Sequence, residues 1–193
     1  MRRHLRALPP GSVALAEDET HLHLLPHIRA SWIPRGTRQP VATPGKNRQA
    51  TVFGALEVAT GAWLYALDRR SAAAFIAFLQ LLLAAYPDAP AVAVLCDNDS
   101  IHHAKAVTTY LTGHPRLHLL FGARYSPHDN PVERIWAALK AYLANTAVTW
   151  PGRQRQVRAF FRQRSPTQML ITAAPWASPW LPKHYAQNFR QAA

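Results

Sequence analysis

Ten acidic residues stand against 22 lysines and arginines in this 193-residue chain, and their placement is uneven. Seven of the ten crowd into three short segments: Glu17, Asp18 and Glu19; Asp97 and Asp99; Asp129 and Glu133. Surface solvation would scatter so few acids, so the clustering marks places where negative charge is wanted. Asp18, Asp97 and Glu133 form the candidate set, and 35 residues lie between Asp97 and Glu133. Hard divalent ions such as Mg²⁺ take oxygen ligands and keep several waters, so two or three carboxylates converging from separate elements are enough to hold them. A pair of such ions about 3.5 to 4 Å apart serves both the attacking and the leaving oxygen of a phosphodiester. Lone acids at strand ends and helix starts also occur as solvated or capping groups, and spacing alone leaves both readings open. Glu17 and Glu19 compete with Asp18, although strand alternation puts Asp18 on the opposite face from both. Asp99 either substitutes for Asp97 or caps a helix beginning near Ile101.

The elements that must deliver these acids are legible in outline. "SVALAEDET" (12–20) reads as a buried strand ending in acids, and "QATVFGALEVATGAWLYAL" (49–67) as a hairpin turning near Thr60 and Gly61. The stretch between them is rich in Pro, Gly and basic residues and reads as loop or short irregular strands. Ser71 caps an apolar helix over 72–86 that Pro87 stops. "AVAVLC" (91–96) is a Val-rich run suited to a strand covered on both faces, and it places Asp97 at the carboxyl edge where ligands of open α/β sheets collect. A helix over 100–113 and a strand over 116–121 follow. In "SPHDNPVERIW" (126–136), Asn130 suits a helix N-cap, Pro131 the first helical position and Glu133 the acid of a capping box. Val132, Ile135, Trp136, Leu139 and Leu143 make one apolar face, with Glu133 and Lys140 on its flank. The order implies an α/β domain with a mixed sheet and helices packed on it. Beyond Trp150 a short helix carries Arg155, Arg158 and Arg162 on one face, suited to phosphates, and Val157, Phe160 and Phe161 on the other.

A formal charge of +12 favours a polyanionic partner such as nucleic acid. The longest apolar run, over 72–86, is shorter than the roughly 18 to 20 residues of a membrane span, and no signal-like core develops after the basic N-terminus. A cytoplasmic protein without membrane attachment is expected. The single cysteine, Cys96, provides neither a disulfide framework nor a cysteine-based zinc site. His21, His23, His27, His102 and His103 read as solvated or core-bonded before they read as metal ligands, with His102 the one to watch. Three regions are expected: a basic arm over 1–11, a catalytic domain over 12–148, and a basic helix with a Pro- and Trp-containing tail over 149–193.

Four ordered pieces, "LAEDETHLHLLPHIRASWIPRGTRQP", "TVFGALEVATG", "VLCDNDSIHHAKAV" and "RYSPHDNPVERIWAALK", resemble the catalytic domain of DDE transposases of the mariner-like superfamily, in its bacterial insertion-sequence branch. The resemblance spans roughly residues 12 to 145 and falls on Asp18, Asp97 and Glu133 as catalytic, metal-holding carboxylates. It implies an RNase H-like fold with about five strands, the first three antiparallel. It also implies two Mg²⁺ or Mn²⁺ ions, and cleavage and transfer of DNA strands at transposon ends and target, by a homodimer on DNA. Asn98, His102 and Asn130 fall on motif positions that would orient a ligand or contact substrate phosphate. Trp32, Arg35 and Gly36 match a family loop motif or else form an aromatic packed under a turn. Lys105, Arg124, Arg134 and Lys140 are candidates to line a DNA path, joined by Arg155, Arg158 and Arg162. The chain departs from the family in starting almost at the catalytic strand, so a separate helix-turn-helix protein or domain is expected to recognise DNA ends. "FGARYSP" replaces the family's Leu-Pro before Tyr-Ser-Pro, and Asp99 adds a charge inside the second motif. The rival readings are an RNase H-like nuclease without strand transfer and a decayed remnant that binds nucleic acid.

Overall fold

Alternating burial in the first strand runs further than the sequence suggested. In the computed structural model, which describes residues 1–123 and 127–182, strand β1 covers Val13–His23, because Thr20 and Leu22 continue the buried face while His21 and His23 point to solvent. A short helix α1 (Arg2–Ala7) precedes it and buries Leu5 in the core. β2 (Gln49–Glu57) and β3 (Trp63–Asp68) form the expected hairpin, with Gly61 at φ 81° in the turn. Left-handed backbone of that kind costs glycine nothing and most other residues about 1–2 kcal/mol.

Helix α2 (Ala72–Ala85) starts where Ser71 Oγ accepts a hydrogen bond from the Ala74 N–H at 3.2 Å. It buries Phe75, Phe78, Leu79 and Leu82, each worth about 1.5–3 kcal/mol on transfer from water. β4 (Val92–Cys96), α3 (Lys105–Thr112), β5 (Leu117–Phe121) and α4 (Val132–Leu143) follow. The five strands make one sheet in the order β3-β2-β1-β4-β5. β1, β2 and β3 pair antiparallel, whereas β4 pairs parallel with both β1 and β5, giving the mixed sheet expected.

The sheet separates two apolar layers, and β1 feeds both. Ala14, Ala16 and Leu22 join the layer beneath α4, while Leu15 joins the layer beneath α2 and α3. Residues beyond 149 belong to the first layer. α5 (Trp150–Arg162) and α6 (Pro166–Ala173) contribute Val157, Phe160, Phe161, Met169 and Ala173 to the core around Trp136, and Trp180 and Leu181 are buried with them. The expected boundary near residue 149 is thus no break in packing. The rest of the tail, 183–193, lies outside the described residues.

Two differences from the expected elements have local causes. The helix expected over 100–113 begins only at Lys105, because Asp side chains take the backbone donors of the preceding residues: Asp97 Oδ1 accepts from the Asp99 N–H at 2.8 Å, and Asp99 Oδ1 from the Ile101 N–H at 3.0 Å. Such bonds compete with helix formation. The segment over 24–48 contains no helix or strand and is clasped by Asn145, whose side chain exchanges two 2.9 Å hydrogen bonds with the backbone of Arg29. Trp32 within it is fully exposed at 102%, so it does not pack under a turn. Among the described residues, no helix is long and apolar enough to cross a membrane.

Candidate active site

Asp18 sits near the middle of β1 and faces α4. It is 8% exposed, and its Oδ2 accepts a hydrogen bond from the Trp136 indole N–H at 3.1 Å. Trp136 is itself fixed by edge-on packing against Trp63 at 5.4 Å and Phe161 at 6.4 Å. Burial pushes the Asp18 carboxyl well above its ordinary pKa, and the negative charges of Glu133, Glu19 and Asp97 push the same way. Glu133 and Asp97, both distant in sequence, are therefore within electrostatic reach of Asp18.

Glu133 lies in the first turn of α4, half-buried, with the apolar stripe Val132, Ile135, Trp136, Leu139 and Leu143 buried beside it. Asn130 sets this helix start. Its Oδ1 accepts from the Val132 N–H at 3.1 Å, and its Nδ2 donates to the Glu17 carbonyl at 2.7 Å, tying the start of α4 to the backbone of β1. The helix cap falls one residue later than expected, at Pro131, and Asn130 braces the turn just before it; the Glu133 carboxylate takes no hydrogen bond among the described residues, so the expected capping box is not formed.

Asp97 follows β4 directly, and its side chain is 48% exposed. Asn98 Nδ2 donates to the Gly122 carbonyl at 2.7 Å, pinning the turn to the end of β5. Asp99 pairs with Arg70 and caps the turn, so it does not replace Asp97. The carboxylate oxygens of Asp18, Asp97 and Glu133 do not all lie within 4.8 Å of one another. A concentration of buried and half-buried oxygen donors, with one carboxylate whose charge is disfavoured by the others, fits a hard divalent cation.

His102 differs from expectation. Its side chain is fully buried and cannot touch a substrate phosphate. It turns instead toward Glu19 Oε1 at 2.9 Å, Glu17 Oε2 at 3.9 Å and Asp97 Oδ1 at 3.3 Å. The sequence pointed to Glu17 and Glu19 sharing a face, but nothing in it foretold that the turn after β4 folds His102 back onto them. The Trp136 indole on Asp18 was equally hidden, since Trp136 read only as part of the apolar face.

The basic candidates divide. Lys105, Lys140, Arg155, Arg158 and Arg162 are exposed, and Lys140 lines a cleft with Glu19, His21, His23 and His27. The Arg134 guanidinium is committed to the carbonyls of Ala173 and Ala174 at the end of α6, at 3.1 and 3.2 Å. Arg124 lies outside the described residues.

Residues 14–151 match a family described as DDE superfamily endonuclease. A Shigella sonnei protein, described as insertion element IS630 uncharacterized 39 kDa protein, is 37% identical over 124 residues, covering 64% of this chain and 36% of that protein. Among solved structures, the Mos1 mariner paired end complex with Mn superposes with a TM-score of 0.66 at 18% identity, over 98% of this chain and 58% of that one. The catalytic domain of Mos1 mariner transposase gives a TM-score of 0.61 at 15% identity, over 94% of this chain and 81% of that one. The chain thus spans about a third of the insertion-element protein, and its mixed five-stranded sheet with flanking helices is the RNase H-like architecture of a transposase catalytic domain.

Proposed function

Because the chain belongs to the DDE superfamily endonucleases, we propose that it is the catalytic part of a DNA transposase, which cuts a DNA strand and joins the freed 3′ end to target DNA. The observation that carries this reading is the buried Asp18 carboxylate on β1, whose charge is disfavoured by Glu133 and Asp97 arriving from two other elements. The similarity to an insertion-element protein and to a Mos1 paired end complex supports it.

Asp18, Asp97 and Glu133 are the residues that would hold two Mg²⁺ or Mn²⁺ ions, a reading supported by the similarity to a Mos1 paired end complex with Mn. Bound there, such ions supply Lewis acidity toward the phosphodiester and toward the attacking oxygen. The protein's own contribution is positioning. Trp136 donates to one oxygen of Asp18 and so holds the side chain in place. Asn130 fixes where Glu133 starts relative to β1, and Asn98 fixes the turn that carries Asp97. No side chain needs to act as a covalent nucleophile. Lys105, Lys140, Arg155, Arg158 and Arg162 are the exposed cations proposed to contact transposon-end and target phosphates. A homodimer on DNA and a separate helix-turn-helix protein or domain, which reads the ends, complete the proposed assembly.

Purified protein with supercoiled plasmid and Mn²⁺ is expected to nick DNA, and Asp97→Ala and Glu133→Gln to reduce nicking to background. Nicking that persists unchanged in both variants would sink the assignment. Joined donor and target molecules are the expected products; free ends alone would make the protein a nuclease without strand transfer.

A further inference from the structure

On the face of β1 opposite Asp18 lies a second group of donors that the proposed reaction does not use. Glu17 is 0% exposed, and neither of its carboxylate oxygens takes a hydrogen bond among the described residues. A buried carboxylate in that condition is costly unless a cation or a proton neutralises it. Glu19 lies two residues on, and His102 closes the group from the turn after β4. One ligand atom from each of the three lies within 4.8 Å of the others.

The orientation of His102 adds an independent argument. Its Nδ1 faces the Asp97 carbonyl oxygen at 3.2 Å and Asp97 Oδ1 at 3.3 Å. Both are acceptors, so Nδ1 carries the proton and donates it. Nε2 then confronts Glu19 Oε1 at 2.9 Å and Glu17 Oε2 at 3.9 Å. A bare lone pair between two carboxylates is repulsive, so positive charge sits there, either a second ring proton donated to Glu19 or a metal ion in its place. An imidazole that donates one N–H to a carbonyl or carboxylate while offering its other nitrogen is the common arrangement of a metal-ligating histidine. Tetrahedral zinc, with bonds of about 2.0 Å, separates its ligand atoms by about 3.3 Å, between the two spacings seen around Nε2. The Phe75 ring lies 4.4 Å from the imidazole, and the buried Cys96 thiol sits beside it.

We propose that Glu17, Glu19 and His102 form a divalent-cation site of the class that takes Zn²⁺, separate from Asp18, Asp97 and Glu133 and on the other face of the sheet. Two carboxylates and one imidazole suit a borderline ion such as Zn²⁺ better than the all-oxygen set on the Asp18 face, which suits Mg²⁺. An ion there ties β1 to the turn that carries Asp97, and so acts as a structural clamp under the candidate active site.

The test uses the full chain, stripped of metal with a chelator and titrated with Zn²⁺ against a chromogenic competitor, with no activity readout. One tightly held Zn²⁺ per chain is expected. It should be retained in Asp18→Asn and Glu133→Gln and weakened at least tenfold in Glu17→Gln and His102→Gln. X-ray absorption at the zinc edge on the unsubstituted chain should show scattering from one imidazole and otherwise oxygen neighbours, a result that needs no variant to fold. Binding untouched by Glu17→Gln overturns the proposal, as does binding abolished in Asp18→Asn. Two or more imidazoles at the metal would move the ion to His21 and His23 and overturn it equally.

Discussion

At the scale of single residues, Asp18 carries the heaviest electrostatic load on the α4 face of the sheet. Its carboxyl titrates well above the ordinary range, first because it is buried and then because Glu133 is near. In the unfolded chain an Asp titrates near pH 3.9, so between that pH and the folded value the native protein binds more protons than the unfolded one. Stability of the metal-free protein therefore falls as pH rises above about 4, until the folded carboxyl has ionised. Asp18→Asn is neutral throughout and still offers an oxygen to the Trp136 indole. In chelator, its melting temperature is expected to match the parent at pH 4 and to exceed it by several degrees at pH 7. Adding Mg²⁺ at pH 7 is expected to raise the parent and not the variant. A variant no more stable than the parent at pH 7, followed by differential scanning calorimetry, would mean that the carboxylate is already compensated. The three acids stood out in the sequence because acids are few and clustered in this basic chain, although β1 runs on past Asp18 and leaves it mid-strand. Their partners were not readable, because the Trp136 indole and the His102 ring are ordinary core residues until the tertiary fold brings an acid beside them.

Elements with strong periodicity were read correctly, and those governed by side chain to backbone bonds were not. Ser71 before an apolar run and the five-residue stripe of α4 announced their helices. Asp97 and Asp99 delayed α3, a competition invisible to pattern matching. The joint between α4 and α5 was missed for a related reason. Arg153 belongs by type to the surface, yet it is 1% exposed. Its Nη1 donates to the Leu143 carbonyl at 3.0 Å, Thr146 Oγ1 at 2.9 Å and Gln156 Oε1 at 3.0 Å, and its Nη2 to the Thr146 carbonyl at 2.8 Å. Removing a charged donor from several buried acceptors leaves them unsatisfied, so Arg153→Ala is expected to cost about 3 kcal/mol or more in urea unfolding. Arg153→Lys is expected to recover little of this, since an ammonium cannot reproduce the planar fork. A loss under about 1 kcal/mol would show that water replaces the guanidinium at the joint.

For the molecule as a whole, the charge of +12 predicts how it holds DNA. Affinity for a random duplex is expected to fall linearly with log salt, each neutralised phosphate adding about 0.9 to the slope. Arg155, Arg158 and Arg162 lie exposed along one side of α5. If all three meet phosphates, their joint replacement by Ala is expected to flatten the slope by about 2.7 in fluorescence anisotropy. An unchanged slope would place the DNA elsewhere. The same whole-molecule view gives β1 a further meaning. Its register is locked by nine pairs with β2, from Leu15 against Glu57 to His23 against Gln49, and by four with β4. Because neighbouring side chains on a strand face opposite ways, a shift of one residue exchanges the two faces. Inserting or deleting a single codon between Val13 and His23 would therefore swap Asp18 for a glutamate while leaving composition almost untouched. The loop over 24–48, which contributes no helix or strand, has no such parity to keep. Length variation among related chains is accordingly expected to accumulate in that loop and to be purged from the strand that immediately precedes it.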